Sequence, residues 1–170
     1  MSILLTYTSK TGNTKKVAEA IKEVAGEDII FCSLEEAPAP DGFDAIVIGF
    51  WIDKGMPVAA ARKYIKNIQN KKVAFFYTLG ASPASEHGAK CLKNTRELFG
   101  QNQIIGEFAC QGKVDEALIK VFKTLPSGHP MAFSEETMAL YRAASIHPDE
   151  NDLENACAAF KEIFDVLNEG

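Results

Sequence analysis

Five short, strongly apolar runs recur along the first two thirds of the chain: 3–7 (ILLTY), 29–33 (IIFCS), 45–50 (AIVIGF), 72–77 (KVAFFY) and, less uniformly, about 103–110. Runs of this length read as strands. Their near-continuous apolarity means burial on both faces, which is the habit of a parallel sheet. The segments between them carry helical spacing. Val17, Ile21 and Val24 mark one helix face, ended by Gly26. Val58, Ala61, Ile65 and Ile68 mark a second, with Pro57 suited to its first turn. Residues 85–99 form a third that directs Ala89, Leu92 and Phe99 inward. A repeated strand–helix alternation of this kind builds an α/β doubly wound sheet with helices on both faces. The fifth run is interrupted by Gly106 and Glu107, which suits an edge strand.

The rest of the chain narrows the function. At 170 residues, without repeat, low-complexity tract or interdomain linker, residues 1–170 read as one domain. A net charge of −5, from 18 basic and 23 acidic residues, argues against a nucleic-acid partner, which needs a basic face. No apolar run approaches the ~18 residues of a membrane span, and the start of the chain lacks the features of a signal peptide. No membrane contact is expected, and the expected location is cytoplasmic. Cys32, Cys91, Cys110 and Cys157 are scattered, with neither a C-x-x-C pair nor a metal-ligand cluster. No metal is expected, and no acid, base or nucleophile set identifies a catalytic residue. His87, His129 and His147 lie in loops or at their joins, where histidines are usually solvated.

Beyond the fifth run, Val114, Ala117, Leu118, Val121 and Phe122 form an amphipathic helix closed by Pro126 and Gly128. Ser134 suits the cap of a short helix to about Ala144. Leu153, Ala156, Phe160, Phe164 and Leu167 form a last helix, with Asn151 and Glu154 as its capping pair. One helix completes the sandwich, so one of these is additional. The longer apolar stripe selects 151–167 for the sandwich and leaves 113–148 as an inserted segment. That segment leaves the ligand end of the sheet and is expected near the site as a partial lid.

The join between the first strand and first helix, Thr8-Ser9-Lys10-Thr11-Gly12-Asn13-Thr14, is longer than a plain turn requires. In an open parallel sheet, ligands sit beyond the carboxyl ends of the strands, where this loop lies. Its backbone N–H groups, the helix start and the Ser9, Thr11 and Thr14 hydroxyls suit an anion. Gly12 lets the backbone curl inward. Neither G-x-G-x-x-G nor G-x-x-x-x-G-K-[ST] is present. A mononucleotide phosphate fits these residues, and so does a capped turn with incidental hydroxyls.

Ser9, Thr11, Gly12 and Thr14 match the [ST]-x-T-G-x-T loop of flavodoxins, which this stretch resembles. The resemblance implies a five-stranded flavodoxin-like sheet of order 2-1-3-4-5 and a bound FMN. Its phosphate would lie against Ser9, Lys10, Thr11, Gly12, Asn13 and Thr14. The loop after the third strand, Phe50-Trp51-Ile52-Asp53-Lys54-Gly55, is implied to contact the flavin ring, with Trp51 offering a flat π face. The loop after the fourth strand, Thr78-Leu79-Gly80-Ala81, is implied as the second ring contact, without the tyrosine usual there. Gln111 places an amide within reach of the same site. The chain is also similar, over nearly its full length, to a subgroup from anaerobic gut bacteria that includes accessory proteins of bilin reduction. The resemblance implies electron transfer with a redox partner protein. The alternative is a flavin-dependent reductase, or a subunit of one, acting on a small-molecule acceptor such as a bilin.

Overall fold

The computed structural model describes residues 1–169. Its strands are β1 (Ile3–Tyr7), β2 (Ile29–Ser33), β3 (Ala45–Asp53), the two-residue β4 (Met56–Pro57), β5 (Lys72–Leu79) and β6 (Gln103–Gln111). The main strands pair in parallel in the order β2-β1-β3-β5-β6, while β4 folds back antiparallel on β3. With β4 set aside, this is the expected 2-1-3-4-5 sheet, and the fifth long strand is indeed at an edge. The helices are α1 (Asn13–Val24), α2 (Ala59–Ile65), α3 (Glu86–Leu98), α4 (Glu116–Phe122), α5 (Glu135–Ala144) and α6 (Glu150–Glu169).

Side chains alternate between two cores, as the pleat requires. On one face Leu5, Val47 and Phe76 meet Val17 and Ile21 of α1 and Phe160 and Phe164 of α6. On the other, Ile48, Phe50, Phe75 and Tyr77 meet Ala61 and Ile65 of α2 and Cys91 of α3. The last helix therefore completes the sandwich. It seats closely because Gly106 is bare: a Cβ there would lie 2.2 Å from Ile163 Cδ1. Phe160 adds an edge-on contact with Phe76, ring centroids 5.7 Å apart. By contrast α4 buries none of its residues, and it leans on α5 through a Phe122–Tyr141 stack at 6.2 Å. Among the described residues no helix is long and apolar enough to cross a membrane.

Three local expectations are corrected. Pro57 does not open α2. Strand β3 runs on to Asp53 and reverses at Lys54 (φ 50°) and Gly55 (φ 78°), so Met56 and Pro57 pair with it. A two-residue turn with both central φ positive is the tight reversal that matches strand twist. In α3 Leu92 and, at its C-cap, Phe99 face inward as expected, but Ala89 is exposed and Gly88, Cys91 and Thr95 take the buried positions instead. Gly88 sets this rotation, since a Cβ would lie 2.2 Å from the Pro83 carbonyl oxygen. The cap of α6 is built by Asp149 and Asp152, not Asn151 and Glu154. The Asp152 N–H donates to Asp149 Oδ1 and the Asp149 N–H donates to Asp152 Oδ2, both at 2.9 Å.

Candidate functional site

The loop at the carboxyl end of β1 is fixed at both ends. The Thr8 N–H donates to the Gly49 carbonyl at 2.9 Å, and the Gly12 N–H donates to Ser9 Oγ at 3.1 Å. Gly12 adopts φ 93°, with open space where a Cβ would point. The start of α1 differs from those of α3, α4 and α5, and shares with α2 the lack of a side-chain cap and of a first-turn acid. Ser85, Asp115 and Ser134 cap α3, α4 and α5 with their side chains, and each of those helices carries an acid in its first turn. Helix α1 has no side-chain cap and no acid there, and Lys15 and Lys16 occupy the turn instead. Lysines at the positive end of a helix dipole are unfavourable without an anion to offset them. Thr11 and Lys10 are exposed on this loop. Thr14 is buried, its hydroxyl 2.9 Å from that of Thr78, so it joins the loop to the end of β5 and faces away from the open side.

Trp51 is partly exposed at the end of β3, in register with Thr78. Alternation along the strand puts it on the α1 side of the sheet. Asp53 and Lys54 are exposed at the β3–β4 turn, and Ile52 packs against the α2–α3 core. The turn is held from α3, where Asn94 Nδ2 donates to the Gly55 carbonyl at 2.9 Å. Three side chains of the expected ring contacts are not available to a ligand: Thr78 is buried with its hydroxyl on Thr14, and two more lie in a core. Phe50 is fully buried against Phe75 and Tyr77, and Leu79 lies in the same core. Both point to the α2–α3 face because the pleat turns them there, so these positions offer the site backbone alone. Gly80 is exposed and Ala81 half-buried at the tip of the β5 loop.

A contact not legible in the sequence links these loops. Leaving β6, Gln111 Nε2 donates to the Gly80 carbonyl and the Gly112 N–H to the Leu79 carbonyl, both at 2.8 Å. One residue on, the Lys113 carbonyl accepts from Asn13 Nδ2 at 2.9 Å. Asp115 then pairs with Lys10 at 3.2 Å. The strand end is thus a strap across the β1 and β5 loops. It seats tightly, because a Cβ on Gly112 would meet Asn13 at 2.8 Å and one on Gly80 would meet Val114 at 2.8 Å. A depression of about 280 Å³ lies between loop and strap, lined by Thr11, Asn13, Lys113, Val114, Asp115 and Glu116. A larger one, about 600 Å³, is lined by Met1, Asp44 and Lys72 among others, at the amino ends of the strands. That is the wrong end of a parallel sheet for a ligand.

The remaining reactive groups are engaged elsewhere. Burial, with Asp152 and Asp149 nearby, pushes the Cys110 thiol up to about 12. His87 Nε2 lies 3.5 Å from the buried Cys91 sulfur, His129 Nδ1 accepts from the Met131 N–H, and His147 pairs with Asp152 at the α6 cap. Cys110 and Cys91 should therefore resist a maleimide at neutral pH in the folded protein and react after unfolding. Labelling of native Cys110 at the rate of a free thiol would contradict this placement.

Sheet order, loop placement and the open start of α1 together describe a flavodoxin-like domain. The Flavodoxin domain family model matches residues 4–161, and the chain belongs to that family. It is 31% identical over 162 residues to the flavodoxin-like domain-containing protein BilS of Clostridioides difficile (strain CD3), covering 92% of each chain. It is 26% identical to the protein of the same name from Clostridium symbiosum (strain WAL-14163), covering 90% of each. Oxidised flavodoxin 2 from Bacillus cereus superposes with a TM-score of 0.60 at 19% identity, covering 98% of this chain and 99% of that one. A flavoprotein in complex with FMN from Lactobacillus acidophilus NCFM superposes at 0.50 with 18% identity, covering 71% and 96%.

Proposed function

We propose that the protein binds one FMN at the carboxyl end of the sheet and carries electrons between redox partners. The observation that carries this reading is the start of α1, which lacks both cap and acid, has Lys15 and Lys16 in its first turn, and opens from a loop of hydroxyl and amide donors. This donor set fits a phosphate monoester, whose charge offsets the helix end and the two lysines. Ser9, Thr11 and the loop N–H groups would hold the phosphate, and Trp51 and the Gly80-Ala81 tip would face the ring. When bound, FMN supplies one- and two-electron transfer. The chain's part is to hold it and keep water from one side of it. The absence of a nicotinamide fingerprint from the sequence favours a carrier over an independent reductase. Reduction of a small organic acceptor such as a bilin is the alternative, supported by the strap joining both loops to the 113–148 segment. Steady-state turnover of the purified protein with NADH or NADPH separates the two.

Titration followed by Trp51 fluorescence tests the binding. FMN should quench the emission and bind at least about 100-fold more tightly than riboflavin, the worth of about two charge-assisted hydrogen bonds. Thr11→Ala should weaken FMN by about 1–3 kcal/mol and leave riboflavin unchanged. Equal affinity for FMN and riboflavin would refute the phosphate site, and unchanged emission at saturation would place Trp51 away from the ring.

A further inference from the structure

We infer that Asp115 and Glu116, held against the phosphate loop by the strap, make the site select a terminal phosphate monoester over a pyrophosphate. The inference rests on the FMN reading and names residues that act on its specificity. The two carboxylates line the depression beside Thr11 and Asn13, which is the concave space adjoining the loop. A ligand extended beyond its first phosphate meets this wall. The cations present are already matched, Lys10 with Asp115 at 3.2 Å and Lys113 with Glu116 at 2.9 Å. The first phosphate has the backbone donors and the α1 start. A second phosphate would find two ionised carboxylates and no unpaired cation along this wall.

Both acids stay ionised at neutral pH. The Ala117 N–H and then Lys10 hold the Asp115 carboxyl below its ordinary value, and Lys113 does the same for Glu116. Their position is fixed by the strap's backbone contacts to Asn13 and Leu79 and by Val114 packed at Gly80. Discrimination by placed repulsion costs the favoured ligand little while penalising its extended analogue.

The test is titration with riboflavin, FMN and FAD of the wild type, of Asp115→Asn/Glu116→Gln and of Val114→Ala. Asparagine keeps the helix-capping ability of Asp115, so α4 is retained. The wild type should rank FMN above FAD. The double variant should narrow the FMN-to-FAD ratio by roughly five- to twentyfold at low salt, the worth of two exposed charge contacts, with the effect shrinking as salt rises. The FMN-to-riboflavin ratio should stay the same or grow, because Lys10 is freed. Val114→Ala, which loosens the strap but keeps both charges, should narrow the FMN-to-FAD ratio only in part and by less than the double variant does. An unchanged FMN-to-FAD ratio in the double variant, or equal narrowing in Val114→Ala, overturns the inference while the FMN site stands. Equal binding of FMN and riboflavin by the wild type overturns both.

Discussion

Phe160→Ala is expected to destabilise the fold by about 3–5 kcal/mol, through lost burial and the cavity left behind. Phe160 is fully buried, meets Phe76 edge-on and touches Phe164 in the layer that α6 forms with α1. Against a total stability of about 5–15 kcal/mol for a natural domain, the loss should lower the urea midpoint by more than about 1 M. Phe122→Ala in α4 is the comparison. It removes an aromatic of similar size from a helix that buries nothing and whose partner is one tyrosine, and should cost under about 1.5 kcal/mol. Equal midpoints for the two variants would mean that α4 and α6 had been assigned to the wrong layers.

Gly88→Ala is expected to cost about 1–3 kcal/mol by overpacking and to disturb the site as well. The added carbon would lie 2.2 Å from the Pro83 carbonyl oxygen and 2.7 Å from that of Ser82. These are backbone atoms, so no side chain can rotate to make room. Either α3 moves off the sheet or the loop after β5 moves, and that loop carries Gly80 and Ala81. FMN and riboflavin should therefore weaken together, unlike the phosphate-selective effect of Thr11→Ala. A Gly88→Ala variant with unchanged urea midpoint and unchanged riboflavin affinity would show that the close approach of α3 to Pro83 is not maintained in solution.

Residue order alone carried the sheet, because the buried strands of a parallel sheet are apolar on both faces and need no partner to be read. Leu4-Leu5, Ala45–Phe50 and Val73–Tyr77 announce themselves. The stretch Ser9–Thr14 was legible for a similar reason: a loop, its glycine and the helix it opens are contiguous, so local chemistry contains the feature. The choice of 151–167 for the sandwich followed from the longer apolar stripe, and burial of Ala156, Phe160 and Phe164 agrees with it. Where the reading missed, the deciding contact was remote. The rotation of α3 depends on a carbonyl at Pro83 against a bare Gly88, and no periodicity encodes a missing Cβ as a packing surface. Phe50 ends a run that reads as buried strand, and the pleat turns it, with Leu79, into the core and away from the loops they adjoin. The strap joins Lys10 to Asp115 and Asn13 to Lys113, about a hundred residues apart. Only the parallel alignment of β1, β5 and β6 ends their strands at one level and brings those loops together, so the acid wall beside the phosphate loop was decided by the tertiary structure.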